Sequence, residues 1–119
     1  MLFRSPLTEF FELTDRAALI LKPKKPFLDW LIKYDLQDKD VDLEEDQDVY
    51  LIPEFLDNKE FEEWLKENYD AFFCDQMNGW YSDETMWVQN RSFKLFKEWF
   101  DYKMHSMVWD TLEDPIEKE

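Results

Sequence analysis

The sequence predicts an α+β domain: a small three-stranded sheet packed by three or four helices. Three observations predict it. Two short runs, Ala17-Ala18-Leu19-Ile20-Leu21 and Val49-Tyr50-Leu51-Ile52, are strand-like and each stops at a proline. Three other segments carry Phe and Trp at helical spacing. The chain has 119 residues, 45% of them apolar, enough for one core and a single domain over 1–119.

Taken in order, Ser5-Pro6 looks like a helix start, an N-cap serine before a first-turn proline. Leu7, Phe10, Phe11 and Thr14 follow at helical spacing, so a short helix is expected there. Residues 16–22 are apolar on both faces and read as a central strand ended by Pro23. Pro26 opens a two-turn helix over 27–34. Residues 35–48 form an acidic connection, and 49–52 a second strand closed by Pro53. This β–α–β start permits a right-handed parallel crossover, with strand order otherwise open.

Asp57 and Glu60 make a capping box at the head of a long helix. At about 100° per residue, Phe61, Trp64, Leu65, Tyr69 and Phe72 share one stripe, while Glu60, Glu63, Glu67 and Asp70 share the opposite face. Gly79, the single glycine, ends this helix or turns the chain just after it. Residues 80–91 are irregular and aromatic. Asn90 or Ser92 caps a third helix through Phe93, Phe96, Trp99 and Phe100. Residues 104–112 read as a third strand, with Met107 and Trp109 on one face and Met104, Ser106 and Val108 on the other. Residues 113–119 are a frayed tail.

Phe-x-x-Trp-Leu occurs at Phe27/Trp30/Leu31 and Phe61/Trp64/Leu65, and Phe-x-x-Trp-Phe at Phe96/Trp99/Phe100. Composition alone predicts about half a Phe-x-x-Trp match, so three matches call for a physical reason. Positions i, i+3 and i+4 lie on one helix face. Core stripes laid on the sheet account for them more simply than a ligand box does. Two copies 34 residues apart suggest an internal duplication and no repeat array.

The net charge is −15, and it is local. Residues 1–34 are +2, residues 35–86 are −15 and residues 87–119 are −2. Direct binding to nucleic acid or to an anionic membrane is disfavoured, because both need a basic surface. A basic protein partner suits the charge, and a solvated acidic face that keeps an aromatic protein soluble is the simpler account. No apolar run approaches the roughly 20 residues of a membrane span, and no signal core opens the chain. A soluble, cytoplasmic protein is expected.

Catalytic motifs are absent from the sequence. One glycine excludes glycine-rich phosphate loops, and one cysteine excludes an internal disulfide. His105 is the single histidine, and Ser106 beside it on a strand would point to the other face. Cys74 falls with Glu63, Glu67 and Asp70, whose charges work against a thiolate. Asp38, Asp40 and Asp42 have the first spacings of a calcium loop, but Leu43 stands where glycine is needed and Val49 where glutamate is needed. No metal or cofactor is expected. The most function-like stretch is residues 80–91, where Trp80, Tyr81 and Trp87 stand with Gln89, Asn90 and Arg91. These are interface residue types, although aromatics also pin loops to cores.

Val-Tyr-Leu-Ile-Pro-Glu at 49–54, Phe-Glu-Glu-Trp-Leu at 61–65, Gln-Asn-Arg at 89–91, Glu-Trp-Phe at 98–100 and His-Ser-Met-Val at 105–108 together resemble a family of short, acidic bacterial proteins. The resemblance spans most of the chain. It implies a bacterial cytoplasmic protein and carries over no activity and no functional residue.

The expected function is a non-enzymatic protein-interaction module. Its candidate binding residues are Trp80, Tyr81, Trp87, Gln89, Arg91 and His105, with an acidic face at Glu60, Glu63, Glu67 and Asp70. Two alternatives are a nucleic-acid mimic using that face on a basic DNA-binding protein, and a small enzyme or ligand binder with His105 in an aromatic pocket.

Overall fold

A computed structural model describes residues 11–34, 47–112 and 114–116. The element order is β1 (Glu12–Leu13), β2 (Arg16–Pro23), α1 (Lys25–Tyr34), β3 (Asp48–Pro53), α2 (Asn58–Asn78), a 3-10 turn (Glu84–Met86), α3 (Phe93–Trp99), β4 (Phe100–His105) and β5 (Trp109–Asp110). The fold is α+β, with a three-stranded and a two-stranded antiparallel sheet.

β2 is the central strand of the order β3-β2-β4. Leu19 faces Tyr50 on one side and Met104 on the other. Both pairings are antiparallel, so the parallel crossover that the sequence permits is not used. Alternate residues Ala17, Leu19, Leu21 and Pro23 of β2 are buried, as period-two geometry requires. They meet Phe27 and Leu31 of α1, Phe61, Leu65, Phe73 and Met77 of α2, and Phe96 of α3 in one core.

The helices start where local chemistry dictates. Pro26 sits in the first turn of α1, where no intrahelical acceptor awaits its missing N–H. Asp57 caps α2, its carboxylate accepting from Glu60 N at 2.8 Å. The reciprocal arm is offset, since Glu60 Oε2 accepts from Leu56 N rather than from Asp57. Ser92, not Asn90, caps α3 by accepting from Leu95 N at 3.1 Å. Asn90 instead takes a positive φ of 58° in the loop before it. Gly79 ends α2 as expected, but with φ −64°, so the left-handed freedom of glycine is not used.

The structure corrects one expected strand and one expected helix. The third strand begins at Phe100 and ends at His105, not at 104–112. Phe100, Tyr102 and Met104 turn inward between outward Asp101, Lys103 and His105, so the period of two starts where the period of 3.6 ends. Phe100 therefore joins the core from a strand, 5.3 Å from the Phe27 ring and 5.5 Å from Phe73. The helix expected to reach Thr14 gives way to β1 at its described end, where Glu12 pairs with Asp110. Ser5, Pro6, Leu7 and Phe10 lie outside the described residues, as do nearly all of the acidic connection and part of the tail.

Candidate functional site

The 80–91 loop is held down at both ends by its own polar atoms. Tyr81 Oη donates to the Leu31 carbonyl at 3.0 Å, and its ring stands edge-on to Trp30. Trp87 Nε1 donates to Tyr81 O, and Trp30 Nε1 donates to Met86 O, both at 2.8 Å. Arg91 closes the far end: its Nε lies 2.6 Å from Asp70 Oδ1, and a second nitrogen donates to Val88 O at 2.9 Å. The Asp70 carboxylate holds the Arg91 guanidinium above even its ordinary value. Asp83 makes an inner turn with Thr85, whose hydroxyl and N–H hold the carboxyl below its usual range. Gln89 turns its amide onto Trp87 O at 2.8 Å.

Between this loop and α1 lies an open groove of about 510 Å³. Trp30, Tyr34, Trp87 and Trp99 make its aromatic wall, with Asp29, Lys33 and Gln89 among its polar residues. Two of the sequence-expected site residues, Trp87 and Gln89, line it directly. Tyr81 shapes it from below by fixing Trp30 and Tyr34, whose rings lie 5.3 and 5.7 Å from its own. Arg91 acts as the loop's tether. From sequence Tyr34 is a helix end and Trp99 belongs to a core stripe; their part in the groove depends on where the distant loop folds back.

Trp80 and His105 stand apart. Trp80 lines a separate polar cleft with Asp48, Asp75, Gln76 and Asn78. His105 is exposed at the end of β4, opposite Ala18, on the sheet face away from Phe100 and Tyr102. It is not among the residues of the aromatic groove. Ser106 follows at a bend, not on the strand.

A polar cluster that sequence reading missed ties β3 to α2. Gln76 is buried, and its Nε2 donates to Asp48 Oδ2 at 2.6 Å and to Tyr50 Oη at 2.7 Å. Tyr50 Oη in turn donates to Asp75 Oδ2 at 2.7 Å. Burial, reinforced by Asp75, pushes the Tyr50 phenol well above its ordinary value. A phenol so held stays protonated and serves as a tie, not as a base. The available signal was a glutamine set between Phe73 and Met77 on a buried face. Tyr102 repeats the device across the sheet, its hydroxyl 2.8 Å and 3.0 Å from the two oxygens of Glu62.

The Cys74 thiol is raised, first by burial and then by Asp70 and Glu84, with Arg91 opposing. Desolvation outweighs the acids whose proximity the sequence predicts. Glu60, Glu63, Glu67 and Asp70 are all exposed along α2. Glu60 is engaged at the helix cap and Asp70 with Arg91. Among the described residues, no three His, Cys, Asp or Glu are placed to hold a metal, and no helix is long and apolar enough to cross a membrane. Asp38, Asp40 and Asp42 lie outside the described residues. Comparison with protein-family models, curated proteins and solved structures returns no match.

Proposed function

We propose that this chain is a non-enzymatic protein-interaction module that takes an apolar side chain of a protein partner into the groove between α1 and the 80–91 loop. The groove itself carries the reading: Trp and Tyr rings with a polar rim, pre-set by hydrogen bonds made within the protein. Rings already fixed lose little freedom on binding, which favours their use as anchors. The net charge of −15 favours a basic partner and speeds its approach. A photo-reactive residue placed at Gln89, on the rim, tests the reading. It should cross-link one partner in cells, and labelling only of the chain itself would count against the proposal.

The nucleic-acid mimic is weaker support for the same charge. Its row of four acids includes two with local duties, and Lys59 and Lys66 share the exposed side of α2. An enzyme built on His105 draws nothing from the aromatic groove, which His105 does not line.

A further inference from the structure

The β2–β4 ladder ends at Ala18 opposite His105, two residues short of the end of the β2–β3 ladder. β3 ends with Pro53 opposite Arg16, and after an unpaired gap the chain before β2 and the chain after β4 pair again as a separate two-stranded ribbon, β1–β5. The five steps from Leu13 to Ala18 stand opposite four from His105 to Trp109. Residues 14–17 thus stand against residues 106–108 without strand pairing, a break with one extra residue on the β1–β2 side that separates the ribbon from the sheet. Thr14 spans the break, its N–H and its hydroxyl both donating to Val108 O at 2.9 Å. Beyond Pro53, among the described residues, the flank of β1 opposite β5 has no strand beside it.

A cleft of about 790 Å³ lies at that place. Leu13, Leu51, Val108, Trp109 and Ile116 give it apolar walls. Leu51 and Trp109 are 46% and 52% exposed, far more than a buried core position allows. Its charged residues are Glu12, Asp15, Asp110 and Arg16, and the Arg16 guanidinium already lies 3.6 Å from Asp15. The cleft therefore has apolar side chains on its walls and is acidic in balance.

We infer that this cleft receives an extended segment of a partner protein, with alternating apolar and Lys or Arg residues, laid beside β1 as an added strand. Main-chain hydrogen bonds to the open flank supply affinity in such pairing, and alternate side chains supply specificity. Apolar side chains of the segment meet Leu51 and Trp109, and its cations meet Glu12 and Asp110. A second copy of this chain fits poorly, because like acids would face each other across the seam. The inference concerns a surface separate from the aromatic groove and does not depend on it.

The test uses the full chain and a short synthetic peptide of alternating lysine and valine, at about 0.15 M ionic strength, where unspecific attraction is screened. Backbone amide shifts should move saturably in β1 and at Leu51. Trp109→Ala and Leu51→Lys should each weaken binding at least tenfold, and a glutamate–valine peptide should not bind. Two variants on different elements separate loss of the site from loss of the fold, which amide dispersion reports for each. Binding unchanged by both variants, shifts centred elsewhere, or a concentration-dependent dimer blocked by the same variants would overturn the inference.

Discussion

The indole N–H of Trp30 donates to the main-chain oxygen of Met86 at 2.8 Å, joining residues 56 apart in sequence. Trp30 is at once a core residue of α1, 6% exposed, and the anchor of the 80–91 loop. Its ring touches Phe27, Tyr34, Tyr81 and Trp99. One side chain thus couples the packing of the core to the shape of the groove.

Trp30→Phe keeps an aromatic ring and removes the donor, leaving Met86 O without its partner. An unmade hydrogen bond of this kind costs about 1–3 kcal/mol. The unfolding midpoint in denaturant should fall accordingly, and amide exchange should quicken in residues 80–91 more than in α2. Uniform quickening would mean that the bond does not hold the loop.

The two raised phenols set an alkaline limit. Tyr50 and Tyr102 are each pushed above their ordinary value by burial first and a carboxylate second. The unfolded chain releases these protons near pH ~10, while the folded chain keeps them. Their contribution is complete below about pH 10 and is lost as pH rises beyond it. Denaturant titrations should show that fall, and the double variant Tyr50→Phe/Tyr102→Phe should show a shallower one. An identical slope in both would contradict the assignment.

Gly79→Ala should fold normally. Its φ is −64°, and an added Cβ would lie 3.5 Å from Gln76 O, an ordinary contact. Restricting the unfolded chain at a compatible site adds about 0.4–1 kcal/mol. A clear fall in melting temperature would show that the helix end needs glycine after all.

Cys74 should react slowly with a disulfide reagent at neutral pH, and faster as pH rises past the ordinary thiol range. Burial and neighbouring carboxylates keep the thiolate scarce. Rapid labelling at neutral pH would contradict this placement.

Local chemistry was the most legible part of the chain. Asp57 and Ser92 cap as their residue types suggest, because a cap is settled within three residues. Strands over residues 16–23 and 48–53 could be read because prolines bound them. The antiparallel pairing of β2 with β4 could not, since it joins residues such as Leu19 and Met104 that lie far apart in sequence. Phe100 misled because it ends one periodicity and begins another. The loop at 80–91 stood out by composition, but Trp30, Tyr34 and Trp99 complete the groove from elements that gave no such sign. The break between the two sheets, and the cleft beside it, depend on a register that only the paired strands reveal.

The most direct test of the interaction reading is quantitative co-purification from cell extract, wild type against Tyr34→Ala. Tyr34 is 42% exposed at the rim of the groove, so its truncation spares the core. The account predicts one partner enriched with the wild-type chain, weakened at high salt, and reduced at least tenfold with the variant. Equal recovery of that partner by both chains, with both folded, would contradict it.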